Sequence, residues 1–277
     1  MPYFFFVLIY PFIPGSYDPV GISLSTFIQL YSGLGLITCI PAVLWLYHAV
    51  KIGNANKDDQ YLFKKYWLFP KIYIWTSIFV LSIVIFITTF GLSRLAGIFL
   101  FLAMIFFSGL FFNKISQLKP GFHPPHGLPL ALALLPILLL VFQLSISKPL
   151  TNWSRARAIH NSSQLIDEIE RYKNRYGKYP LTLNAIYKDY QTGINSIEEY
   201  HYTYDNTMYN LYFEQPRFLF DQIGTREFVV YNPKDNHLMF SHVSWHMLFE
   251  PDQLRRNQGW YASYDTGVPH WKYFWFY

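Results

Sequence analysis

The sequence predicts a membrane α-helical bundle of four transmembrane helices, followed by a small α+β domain with an antiparallel sheet. Three observations carry this. Of the 277 residues, 52% are hydrophobic and only 14% charged, against roughly 25% charged in a soluble protein. Four uncharged runs of about the length a bilayer requires occupy the first half. After Pro149 charges are spread evenly, and hydrophobic periodicity changes from helical to strand-like.

The four runs are residues 27–48, 72–92, 95–112 and 128–147, and none has Asp, Glu, Lys or Arg in its interior. A soluble helix needs a polar face toward water, so these runs are read as crossings. Pro41 and Pro136 are expected to interrupt the first and fourth. Interior polarity is limited to Gln29, Thr38, Thr88, Thr89, Ser108 and Gln143. Transporters and membrane enzymes usually keep ionisable groups at this depth, so an anchor or scaffold bundle is favoured over a transporter. Trp45, Tyr47, Trp67, Tyr73 and Trp75 fall near the expected interfaces, as an aromatic belt would.

The pI of about 9.0 suggests nucleic acid until the charge is divided. Residues 1–150 hold 9 of the 22 basic and 3 of the 17 acidic residues, and the remainder nets −1. The basic excess therefore belongs to loops between apolar runs, where it sets orientation, and no basic surface remains to grip phosphates. Lys51, Lys57, Lys64, Lys65, Lys71, Lys114 and Lys119 mark two cytoplasmic loops. The second-to-third turn holds only Arg94. N-terminus and C-terminus are both expected outside, in the cell inner (plasma) membrane. Lys148, Arg155 and Arg157 weaken this signal without reversing it.

Residues 1–26 are read as an extracytoplasmic or interfacial segment. Residues 4–12 are apolar but too short to span, and Pro11, Pro14 and Gly15 break any helix. No basic residue precedes them, as one would in a secretory signal. The alternative is the remnant of a longer helix. Residues 27–148 form the membrane domain and 151–277 the extracytoplasmic one. The single cysteine, Cys39, excludes an intrachain disulfide and a cysteine zinc cluster.

In the outer domain, Pro149 is expected to end the fourth helix. Residues 154–176 then repeat apolar positions at helical spacing: Ile159, Ser162, Leu165, Ile166, Ile169, Tyr172 and Tyr176. Asp167 and Arg171 are placed to pair across one turn. Gly177 supplies a left-handed cap and Pro180 prevents continuation. A short helix or turn is expected at 183–187. Residues 202–204, 209–213, 228–231 and 238–240 read as strands between turn signals. Pro233-Lys234-Asp235-Asn236 reads as a hairpin loop joining the last two.

Leu165-Ile166, Ile169, Tyr172, Tyr176-Gly177-Lys178-Tyr179-Pro180, Leu183 and Ile186 resemble the helix-to-sheet motif of type II secretion pseudopilins. The resemblance is confined to this short stretch of the chain and implies a pilin-like fold outside the membrane. It does not extend to the prepilin peptidase site, the helix glutamate or the calcium loop of that family, so processing and pilus assembly are not carried over.

Few residues point to chemistry. His242 and His246 are four apart, as metal ligands on a helix would be, but no glutamate follows the first and the context is strand-like. His123-Pro-Pro-His126 is an extended loop. The acidic residues show no acid/base pairing, and no phosphate-binding glycine loop is present. No metal or other cofactor is expected. The stretch 260–277 is crowded with aromatics, among them Trp260, Trp271, Tyr273 and Trp275. They are a closing strand buried in the core, a membrane-interface cluster, or an exposed surface for a partner. Trp271, Tyr273 and Trp275 would share one strand face.

These features favour a non-enzymatic interaction or assembly module. Its expected partners are the lipid bilayer and another envelope protein or glycan, with no nucleic acid. A transport or channel component using the proline-broken helices, and an envelope enzyme, are the alternatives.

Overall fold

The computed structural model describes residues 2–53, 68–92, 94–116, 127–186, 190–204, 207–222, 225–237 and 261–276. It is mostly helical, with one small antiparallel sheet. The chain forms two compact units: residues 1–8 with 23–145, and residues 9–22 with 146–277.

From the N-terminal side, α1 (Pro2–Ile9) leads by a 3-10 turn (Tyr10–Phe12) and an extended stretch to α2 (Pro19–Leu34) and α3 (Leu36–Gly53). Asp18 starts α2: its Oδ1 accepts from the backbone N–H groups of Val20 and Gly21, both at 3.0 Å. Pro19 follows where its missing N–H costs nothing. The expected single helix over 27–48 is instead two helices bent by 53°. The break is at Gly35, not at Pro41, which stays inside α3. A Cβ on Gly35 would lie 3.1 Å from Pro136 Cβ and 2.4 Å from the Tyr31 carbonyl. Close approach at the bend therefore selects glycine.

α4 (Leu68–Leu92) and α5 (Arg94–Ser116) follow, then α6 (Gly127–Asn161). Among the described residues, two helices are long and apolar enough to cross a membrane, and three if the bent pair is one span. The apolar stretch within α5, Gly97–Leu110, is shorter. Large apolar side chains such as Phe99 (71%) and Phe106 (65%) are exposed, as lipid-facing groups are. Trp45 and Tyr73 pack together beside the small residues Ala42, Ala49 and Ala133.

Pro149 does not end the fourth helix. α6 runs through both Pro136 and Pro149, and only Ser162 separates it from α7 (Ser163–Tyr176). Each proline forfeits one backbone hydrogen bond, and the helical bonds on either side persist. α7 ends as expected at Gly177, whose φ is 74°. The Gly177 N–H donates to the Lys173 carbonyl at 2.7 Å. Leu165 and Ile169 are its buried stripe, but Tyr176 is 57% exposed. The expected Asp167–Arg171 pair is replaced: the Arg171 guanidinium donates to Glu168 at 2.7 Å.

A 3-10 turn (Leu183–Ala185) leads to β1 (His201–Tyr204), β2 (Tyr209–Gln215), the single turn α8 (Leu219–Gln222), β3 (Arg226–Tyr231), β4 (Tyr261–Asp265) and β5 (Trp271–Phe276). All neighbours are antiparallel, in the order β1-β2-β3-β5-β4. β3 has β2 on one edge and β5 on the other. The strand expected to complete the hairpin, residues 238–240, lies outside the described residues. The core joins Ile159, Leu165 and Ile169 to Tyr179, Leu183, Leu211, Phe213, Val229 and Trp271. Phe228, Val230 and Phe274, on the opposite sheet face, are buried as well.

The second unit also contains the N-terminal strap, residues 9–22. Pro14 bridges Ile194, and Phe12 stacks on Phe218 at 4.6 Å, both rings fully buried.

Candidate functional site

Sheet register builds the first cluster. Gln215, Glu227 and Trp275 are direct neighbours on β2, β3 and β5, and Phe213, Val229, Tyr273 and Tyr264 form the next row on that face. α6 lies over this end of the sheet. Arg155 donates to Glu227 Oε1 through Nε at 2.8 Å and Nη2 at 2.6 Å, and through Nη1 to Asn152 at 2.9 Å. Trp275 Nε1 donates to Glu227 Oε2 at 2.7 Å. Arg217 Nε lies 3.7 Å from the same oxygen, and its Nη1 donates to Thr225 at 2.8 Å.

Glu227 is 1% exposed. A buried carboxylate is tolerable only when both oxygens are partnered, and here both are. The two guanidiniums also lie over rings: Arg155 over Tyr273 at 3.9 Å and Arg217 over Trp275 at 4.1 Å. Burial pushes the Arg217 pKa down, against the pull of Glu227. The geometry makes a clamp that locks α6 to β3 and β5. Its outer layer is Tyr264, 37% exposed, stacked on Tyr273 at 5.0 Å and 4.6 Å from Trp275.

The sequence candidates separate accordingly. Trp271 is 3% exposed and fills the core, so it is closed to an external partner. Tyr273 and Trp275 are half-buried in the clamp. Trp260, His242, His246, His123 and His126 lie outside the described residues. Arg155, Arg217, Glu227 and Tyr264 were not anticipated as a cluster. Glu227 falls just outside the strand expected at 228–231 and joins the core-facing row only because β3 begins at Arg226.

A second cluster closes the other end of β3 and β5. Asp235 and His270 both have left-handed backbones, φ 57° and 67°, a conformation that non-glycine residues rarely adopt. His270 Nδ1 lies 3.1 Å from Asp235 Oδ2. The His270 carbonyl accepts from His237 Nε2 at 2.9 Å and from the Asn232 backbone N–H at 3.0 Å. Buried Asn232 holds the turn, accepting from the N–H groups of Lys234 and Asn236 and donating to Asn210. Burial lowers the His237 pKa. Among the described residues no group of three or more His, Cys, Asp or Glu could hold a metal ion. A half-open cleft of about 190 Å³ lies elsewhere on this unit, between α7 and the Ala185–Ile186 turn, with Arg171, Arg175, Tyr172 and Tyr176 on its walls.

In the first unit, Thr88, Thr89 and Ser108 return their hydroxyls to carbonyls of their own helices. Buried Ser25, Gln29, Ser32 and Gln143 instead form a polar seam. Gln29 donates to Ser25 at 3.1 Å, and Ser32 donates to Gln143 Oε1 at 2.9 Å. Gln143 Nε2 has no acceptor among the described residues. No family model, curated protein or solved structure matches the chain.

Proposed function

We propose that the chain is a multi-pass inner-membrane protein. Four crossings anchor an extracytoplasmic, pilin-like module that binds another envelope component. The observation carrying this reading is the helix of residues 127–176, which starts apolar and ends in an amphipathic, Gly177-capped segment packed on an antiparallel sheet. An apolar stem that becomes the spine of a small α+β domain is the arrangement the pseudopilin resemblance implies. Tyr264, stacked over a charged clamp, is a rigid aromatic contact of the kind partner surfaces favour.

Four crossings are supported by a parity argument. Residues 9–22 and 146–277 form one folded unit. They therefore share one side of the membrane, and the number of crossings between them is even. The bent pair, α4 and α6 account for three. α5 carries the uncharged run 95–112, at the short end of the range that spans a bilayer, and the even count assigns it the fourth crossing.

Two measurements test the proposal. Single cysteines at positions 64, 123 and 191, in a Cys39→Ser background, are labelled from outside intact cells or spheroplasts. Labelling at 191 alone is expected, whereas labelling at 64 and 123 but not 191 inverts the protein and removes the envelope reading. A photo-cross-linking amino acid at Tyr264 should give a discrete adduct that the same group at Leu181 does not. Identical patterns at both positions would end the partner-surface reading.

A transport role is the second reading. It is favoured by the helix break at Gly35 and the polar seam around the Gln143 amide, since broken helices line substrate sites in transporters. Solute flux in proteoliposomes that is abolished by Gln143→Leu would support it.

A further inference from the structure

The strap is separated in sequence from the surface it meets by the whole run of apolar helices, yet it seats there as a bound peptide would. Asn195 grips it three times: its N–H donates to the Ile13 carbonyl at 3.2 Å, its carbonyl accepts from the Asp18 N–H at 2.9 Å, and its Nδ2 donates to the Tyr10 carbonyl at 3.1 Å. The Gly15 N–H donates to the Gly193 carbonyl at 3.0 Å, and Ser196 Oγ donates to the Pro11 carbonyl. Phe12 is 1% exposed against Phe218 at 0%. A Cβ on Gly15 would lie 1.8 Å from Asn195 Oδ1. The segment is thus read by backbone pairing plus side-chain pockets, the logic of extended-peptide recognition.

The receiving surface is held by bonds that do not involve the strap. Thr192, fully buried, donates to the Ile197 carbonyl at 2.8 Å and accepts from the Ile194 N–H at 3.3 Å. Asn161, at the end of α6, donates to the Thr192 carbonyl at 2.8 Å. Gly193 takes the left-handed conformation, φ 71°, that turns the loop. A surface organised without its occupant loses little on refilling.

We infer that residues 192–196 and Phe218 form a peptide-binding groove selective for an extended aromatic-x-Pro-Gly segment, which Phe12-Ile13-Pro14-Gly15 fills in cis. The ligand class is an extended peptide with a buried aromatic, and a glycine three positions later where the backbones meet. The strap excludes such peptides while it is seated. This inference stands whether or not the unit faces the envelope.

The test uses the full chain in detergent and a fluorescent peptide corresponding to residues 10–18. The Gly15→Val chain can seat its own strap only by displacing the Asn195 amide and giving up its bond to the Tyr10 carbonyl, so its strap is weakened. It should bind the peptide saturably, and the unaltered chain should not. Adding Ser196→Ala, which removes the bond to the Pro11 carbonyl and leaves the Asn195 clash in place, should weaken binding about threefold or more, and a peptide with valine for its glycine should bind far more weakly. The idea is overturned if a folded Gly15→Val chain binds no better than the unaltered one, or if both peptides bind equally. Should Gly15→Val fail to fold by near-ultraviolet circular dichroism, Phe12→Ala replaces it with the same peptides. Loss of folding in both would make the strap an inseparable part of the core and end the proposal.

Discussion

At the scale of single residues, Glu227 has the largest consequences. It is 1% exposed and carries Arg155, the Trp275 indole and the more distant Arg217. Glu227→Ala strands two buried guanidiniums, and removing one partner from a buried ion pair costs about 3–5 kcal/mol. Denaturant unfolding of the detergent-solubilised chain should show a loss of that size. Replacing both partners, Glu227→Leu with Arg155→Met, should recover much of it, because apolar pairs of similar volume often match a buried ion pair. A double variant as unstable as the single one would show that Arg155 was not the group left stranded. Asp18 gives a pH signature. Its pKa lies below the ordinary carboxylate value because the Gly21 N–H and the Tyr10 hydroxyl bind the charged form. A depressed carboxylate stabilises the folded state above its ordinary pKa, and loses that contribution as pH falls through the folded value. Strap seating should therefore weaken only below about pH 4. The denaturant midpoint of the detergent-solubilised chain, followed as pH falls below about 5, reads this out. Asp18→Asn should flatten the profile.

At the scale of elements, local signals were legible and long-range ones were not. The α7 cap was readable because Gly177 sits where the helical period ends, and the chain does turn there at φ 74°. Gly177→Ala should cost roughly 1 kcal/mol, the strain of a Cβ in the left-handed region, measured as a fall in unfolding midpoint. No neighbouring atom lies within 4 Å of that Cβ, so the loss is backbone strain alone. The break in the first apolar run was misplaced because Pro41 is the stronger local signal. The break falls at Gly35, where the chain lies close to Pro136 of α6, a contact invisible to a local window. Pro149 was over-read in the same way, since one lost hydrogen bond does not end a helix whose flanking turns are intact. Strand identity survived for β1, β2 and β3, whose aromatic and β-branched runs are local. That β5 sits between β3 and β4 depends on pairing between segments far apart in sequence, as do the Arg155–Glu227 clamp and the strap on Asn195. The residues that would mark a site, Arg155, Arg217 and Glu227, are ordinary in sequence and become a cluster only through sheet register.

At the scale of the whole molecule, the strap ties membrane topology to the closure of the second unit. An outer domain confined to residues 151–277 could fold on either side of the membrane, whatever the number of helices before it. A unit that includes residues 9–22 as well closes only if an even number of crossings separates its two segments. On the four-crossing proposal, removing α4 and α5 together, residues 68–116, deletes two crossings and keeps parity, whereas removing α5 alone, residues 94–116, would leave the strap and the sheet on opposite sides. A Pro14→Cys/Ile194→Cys disulfide, in the Cys39→Ser background, distinguishes these outcomes in cells. It should form in the chain lacking both helices at a level near that of the intact chain, and be lost when α5 alone is missing. If it also forms without α5, then α5 does not cross, two crossings suffice, and the four-helix reading is wrong. The strap would still bind its groove in that case, because its contacts with Asn195 and Phe218 do not depend on how many times the chain crosses between them.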